Sequence, residues 1–418
     1  MTKHTRHKAA MIGRCLTVMA VMIASSCERI DIYEPDSEAS LADINLIYDW
    51  GKYAGQKSDE MYVITARLNE TSHTYFVTDS NSLFLYESPY SPFIEDNVVD
   101  KQPADTLAAD TTVTDSVTVP NDTIPTANGK ESFKILNGDY SILVVSKDDY
   151  TEIVPLVDFV TRPEAIGMKD LSMTYNEITD DSMMPTIDGH PWIDRNPGYK
   201  FISNSGPKFM AKNIKMTFTN GNASGERLLG FEKLTQNIRF NFTIRVTAED
   251  GDSISIGEDG VVAEISGVVP SIKLVDETMQ AVSLKRMFLD GKATQTSHAA
   301  GWAEYSYEGH IDAFTIIAGA DDDVVSGPGI LRIGIGLTVI DSDGNETSHV
   351  ISATQNICPE ITSARLTTIG TDGRTLTQAT KDASIRVGDR LDIDATEIAQ
   401  GNSNGISGWD EMEIEEEI

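Results

Sequence analysis

Three cysteines in 418 residues leave this chain little sulfur chemistry. Cys15 and Cys27 fall at its start, so Cys358 is the only thiol in the body, which excludes an intramolecular disulfide and a cysteine-based zinc cluster there. Positive charge is scarce too: 33 Lys and Arg stand against 65 Asp and Glu, a formal charge of −32. Such a surface repels phosphate, which argues against nucleic acid as a partner and against lying flat on anionic lipid. Histidine is rare, and among His73, His190, His298, His310 and His349 no two stand at ligand spacing. H-E-x-x-H, G-x-S-x-G, the P-loop and the dinucleotide fingerprint are all missing. The expectation is a protein that is not an enzyme and needs no cofactor and no metal.

Long apolar runs are also missing. The stretch 15–24, CLTVMAVMIA, is about half of the roughly 20 residues that span a bilayer as a helix. It follows a basic segment with Lys3, Arg6, Lys8 and Arg14 and precedes Ala24, Ser25, Ser26 and Cys27. Basic start, short apolar core and small residues make a secretory signal over 1–26. A cysteine directly after the small residues reads as a lipobox, where the thiol is acylated and becomes the new amino terminus. Cys27 is therefore the expected lipidation site, and the expected location is the outer membrane, lipid-anchored and exposed at the cell surface. Residues 27–40 are polar and acidic and read as a tether.

What the body does have is period-two alternation. Ile44, Leu46, Tyr48 and Trp50 share one face of a first strand. Ile238, Phe240, Phe242, Ile244 and Val246 share one face of a second, with Arg239, Asn241, Thr243, Arg245 and Thr247 on the other. Leu331, Ile333, Ile335, Leu337 and Val339 repeat the pattern, with Gly334 and Gly336 on the opposite face, where close approach is expected. Asp-Gly and Asn-Gly turns separate further strand candidates. Residues 276–291 are the best candidate for a short helix. The fold class expected is all-β, with antiparallel sandwiches. Residues 95–131 are rich in Thr, Asp, Pro and Ala, lack aromatics, and read as a disordered insertion. A punctuated stretch at 219–231 places a boundary between units at 41–228 and 229–418.

Two clusters invite chemistry, and each has a plainer reading. Asp341-Ser342-Asp343-Gly344-Asn345-Glu346 opens like a calcium loop, but Ser352 stands where a bidentate glutamate is needed, so a hairpin turn is the preferred reading. Asp180, Asp181 and Asp194 flank His190, Pro191 and Trp192; an exposed tryptophan there would suit a sugar, against a plain loop. At the carboxyl end, Met412, Ile414 and Ile418 share one face of DEMEIEEEI, and only Glu416 breaks it. Such a strand either completes its own sheet or is donated to a neighbour's edge.

Several pieces, in order, resemble the Bacteroidales fimbrillin superfamily, especially its lipoprotein anchor and accessory subunits: SSCERIDIY, INLIYDW, FKILNGDYSILVVSKDD, VVAEISGVVPSIKLVDE, LRIGIGLTVIDSDGNETSHVISATQNI and GWDEMEIEEEI with Trp409. Glu28, Asp31, Glu34 and Asp36 after the cysteine resemble a surface-export signal. The resemblance implies two tandem transthyretin-like β-sandwiches and a non-enzymatic surface protein that joins fimbrial subunits or other surface proteins by strand insertion. Processed stalk subunits of that kind are cut at arginine after their first strand; GKYAGQKSDE here holds Lys52 and Lys57 but no arginine, which favours an anchor. The alternative is a surface glycan-binding lipoprotein.

Overall fold

The computed structural model describes residues 41–58, 60–67, 75–79, 82–86, 130–136, 138–156, 167–187, 189–192, 199–218, 226–319, 327–388, 390–399, 406–409 and 411–417. The signal, Cys27, the tether, Ile418 and nearly all of the 95–131 segment lie outside them. The described chain is mostly strand, in several sheets, with two short α-helices. This is the all-β architecture that the alternation called for.

In chain order, the principal strands begin with β1 (Leu41–Asp49), β2 (Glu60–Arg67), β3 (Lys130–Leu136) and β4 (Gly138–Lys147). Next come β5 (Phe201–Ile202), β6 (Phe209–Phe218), β7 (Glu226–Gly230), β8 (Gln236–Thr247) and β9 (Ser253–Val268). They continue with β10 (Lys285–Phe288), β11 (Asp290–Ala299), β12 (Trp302–Ala313), β13 (Ile330–Ile340) and β14 (Glu346–Asn356). After helix α1 (Cys358–Ala364) follow β15 (Asp382–Arg386), β16 (Leu391–Asp394), helix α2 (Ala395–Ala399) and β17 (Glu411–Glu417).

In the amino-terminal half, β1 lies between β3, antiparallel, and β7, parallel. A second sheet runs β6–β4–β2. Leu46 and Tyr48 of β1, and Trp50 just after it, meet Val63, Tyr140, Ile142, Val144 and Phe209 in a core of their own. Trp50 stacks on Phe231 at 4.2 Å and meets Phe209 edge-on at 5.4 Å, an arrangement that adds to the burial of three large rings.

The carboxyl-terminal half holds the larger core, between a sheet in the order β5–β10–β9–β13–β14–β17 and a sheet in the order β11–β12–β8–β16, on which β15 also pairs with β8. All five residues of the apolar face of β8 are buried in it. Strand pairings cross residue 228: β5 runs parallel to β10, and Ser172–Tyr175 pairs with Ser271–Lys273.

Strand β13 is buried on both faces, unlike a half-buried strand. Its second face is covered by Ile187 and Trp192 from the preceding half, which lie against Gly334 and Arg332. Gly334 makes that possible: a Cβ there would sit 2.3 Å from Ile187 Cδ1 and 3.0 Å from the Trp192 ring. The close approach expected opposite Gly334 is therefore found, and these two side chains make it.

Residues 276–291 are a correction. They carry Met279–Gln280, β10 and the start of β11 instead of a helix. The physical reason is Arg286, 2% exposed, whose guanidinium lies 3.0 Å from Glu264 and 4.0 Å from the centre of the Phe201 ring. A buried charge is tolerated when it is paired and hydrogen-bonded. The sequence displays an arginine among apolar residues, which mimics the exposed stripe of an amphipathic helix, while its partner lies on another strand.

Candidate functional site

Between the two halves lies a cleft of about 1650 Å³. Its floor is the polar face of β8, the face opposite the buried Phe240 and Phe242. The register puts Asn237, Arg239 and Asn241 beside Asp312, His310 and Glu308 of β12. On the other side of β8, β15 brings Asp382, Ser384 and Arg386 alongside the same three residues. Because successive side chains alternate and strands lie about 4.8 Å apart, the floor is a flat grid of hydrogen-bonding groups. The walls come from the amino-terminal half: Tyr53 in the 3-10 turn Gly51–Gln56, the turn Asp148–Tyr150 after β4, and Ser205–Lys208 before β6.

Charge in the cleft is balanced, in contrast to the rest of the chain. Lys52, Lys57, Lys147, Lys208, Lys233, Arg239 and Lys381 meet Glu60, Asp148, Asp149, Glu308, Asp312 and Asp382. The deepest of these are paired with one another. Lys208 lies 2.6 Å from Asp148 and donates to Ser205 Oγ, Ser205 O and Gly206 O. Burial pushes its ammonium below the usual lysine value, and the Asp148 carboxylate opposes that shift. Lys233 lies 3.2 Å from Asp312 and 3.8 Å from Asp382. The first pair joins the end of β4 to the start of β6, and the second joins Lys233 to β12 and β15.

A second region is the open edge of the larger sheet. Strand β17 runs antiparallel to β14, with Met412 opposite Ala353 and Ile414 opposite Ile351, both of which belong to the main core. A bulge follows, in which Glu415 is the extra residue, so that Glu416 pairs with Val350 and Glu417 with His349. The bulge accounts for the one break in the strand's alternation: Glu416 no longer falls in the series of Met412 and Ile414. Trp409, just before the strand, is buried and meets Phe242 edge-on at 5.3 Å.

The other sequence candidates resolve plainly. Residues 341–346 form the turn between β13 and β14. Asp341 Oδ1 accepts from the backbone N–H groups of Asp343 and Asn345, and Asp341 Oδ2 from the Asn345 amide. These bonds hold its carboxyl below the usual aspartate value, the Asn345 side chain contributing most. Trp192 is 7% exposed and packs under Arg332 at 4.6 Å, so it offers no platform to a sugar. Asp180 accepts from Ser182 in its own turn, while Asp194 lies outside the described residues. Among the described residues no His, Cys, Asp and Glu group gathers at metal-ligand distances, and no helix is long and apolar enough to cross a membrane. The cleft itself was half legible: the polar row of β8 was read from the sequence, but not the walls that face it.

No family model matches the chain, and no curated protein matches it in sequence. Among solved structures, it is similar to a candidate adhesin of Bacteroides ovatus at 10% identity and TM-score 0.40, over 88% of this chain and 96% of that one. It is also similar to a candidate adhesin of Bacteroides thetaiotaomicron at 13% identity and TM-score 0.35, over 74% and 80%. The fimbrial anchor protein of Porphyromonas gingivalis aligns at 11% identity and TM-score 0.28, over 84% and 90%.

Proposed function

We propose that this chain is a structural and adhesion subunit of a surface fimbria, an anchor or accessory subunit, and not an enzyme. It is held to the outer membrane by lipid on Cys27 and joins its neighbours by strand addition. The units 41–228 and 229–418, each built as a transthyretin-like sandwich, belong to the same proposal.

The observation that carries the reading is β17. Among the described residues it is an edge strand, paired on one side only, and its ladder with β14 consists of backbone bonds that any strand of suitable alternation can make. Trp409 sets the limit of what can be donated: it is part of this chain's own core, so the exchanging element is 411–418 rather than everything from 409. A strand that closes its own sheet in the free chain and a neighbour's sheet in the assembly protects the exposed edge until a partner arrives.

Deleting 410–418 from the full chain tests this. The truncated protein is expected to melt cooperatively within a few degrees of the full chain and to lose capture of fimbrial subunits in a pull-down. Unfolding of the carboxyl-terminal half, or undiminished capture, would make β17 an internal strand only.

A further inference from the structure

We propose that the cleft over β8 is a binding site for a neutral oligosaccharide. This does not rest on strand addition, since β17 lies on the other large sheet of the same half and no residue of β17 lines the cleft.

Four observations point to that ligand class. The cleft is concave, and its residues are overwhelmingly polar, so it lacks the apolar centre that anchors a protein partner. Its charge is balanced, with seven basic against six acidic side chains, so it offers neither a polyanion nor a polycation a net attraction. Its most buried cations, Lys208 and Lys233, already hold carboxylates, so a phosphate or a uronic acid would have to displace Asp148 or Asp312 to reach them. What the floor presents instead is donors and acceptors side by side: Asn237 between Asp312 and Asp382, Arg239 between His310 and Ser384, and Asn241 beside Glu308.

A sugar ring is the ligand that such a grid fits. Each hydroxyl both donates and accepts, and vicinal hydroxyls take the paired atoms of an amide, a carboxylate or a guanidinium. The flat sheet face provides these pairs at the spacing of adjacent strands, so a chain of sugars lying across β12, β8 and β15 meets a pair at each step. Two tyrosines supply the remaining element: Tyr53 and Tyr150 line the same cleft, and Tyr150 is 38% exposed. An aromatic face packs against the C–H face of a pyranose while the phenol stays wet. The volume of about 1650 Å³ holds several such units.

The test is titration of the full chain, by calorimetry, with neutral oligosaccharides cut from mannan, xylan and galactan. Arms with polygalacturonate fragments and an acidic peptide run beside them. At least one neutral oligosaccharide is expected to bind in the micromolar to millimolar range. Arg239→Ala and Asn241→Ala are each expected to weaken it tenfold or more, with thermal melts unchanged because both residues sit on the solvent face of β8. No binding by any neutral oligosaccharide, binding by the acidic probes alone, or equal binding by both variants would overturn the assignment.

Discussion

Replacing Glu264 by alanine is expected to destabilise the protein by about 3–5 kcal/mol, the usual cost of removing one partner from a buried ion pair. Arg286 is 2% exposed, and its NH1 lies 3.0 Å from the Glu264 carboxylate; Arg332 is the residue of β13 directly opposite Glu264. Without the carboxylate, Arg286 loses its ion pair beneath the Phe201 ring. The result should be a fall in Tm on the order of 10 °C. Glu264→Gln, which keeps an acceptor, should lose less. The double variant Glu264→Leu with Arg286→Met should recover much of the loss, because it removes both charges together. Urea melts of the three variants check this, and an unchanged midpoint for Glu264→Ala would show that the pair contributes nothing.

The second large effect is expected at Gly408. Its φ is +91°, a region that side-chain-bearing residues avoid, and a Cβ there would lie 2.1 Å from the carbonyl oxygen of Arg390. That atom is backbone and cannot swing aside. Gly408→Val must therefore shift the junction between β16 and Trp409, at a cost of more than about 2 kcal/mol. The consequence is specific, because Trp409 is the last core residue before β17. Displacing it from Phe242 loosens the strand's attachment to β14. Hydrogen exchange of the amides of 411–417 should accelerate at least tenfold, while those of β8 and β13 stay protected. Equal protection of 411–417 in variant and wild type would show that Trp409 does not hold the strand.

Much of this fold is legible in single strands. The alternation in 236–247 identifies the buried and polar faces of β8 residue by residue, because period two admits only one choice once Phe240 points inward. Gly334 signals a close approach for the same reason: a missing Cβ on an otherwise branched strand has few other uses. What the sequence hides is long-range. Arg286 mimics a helix's polar stripe because Glu264 is on a different strand. Trp192 looks like a loop tryptophan because nothing in its neighbourhood announces that Gly334 will receive it. Helix α1 has Pro359 and Glu360 in its first turn, a correct start signal, but at seven residues it is too short for a period to emerge. The cleft follows the same division. Asn237, Arg239 and Asn241 are recognisable as an outward row. Their meeting with Tyr53, Asp148 and Lys208 depends on how the two halves pack, which local pattern does not encode.

Whether this chain is the surface-held fimbrial subunit proposed above is decided by shearing the appendages from its native host and probing both the appendages and the cell membranes for this protein. The expected result is that the wild-type chain remains with the outer membrane and is found at the base of the attached appendages. In the same measurement, Cys27→Ala should release both the protein and the appendages into the medium. A chain absent from every appendage preparation, and a Cys27→Ala variant distributed like the wild type, would contradict the account.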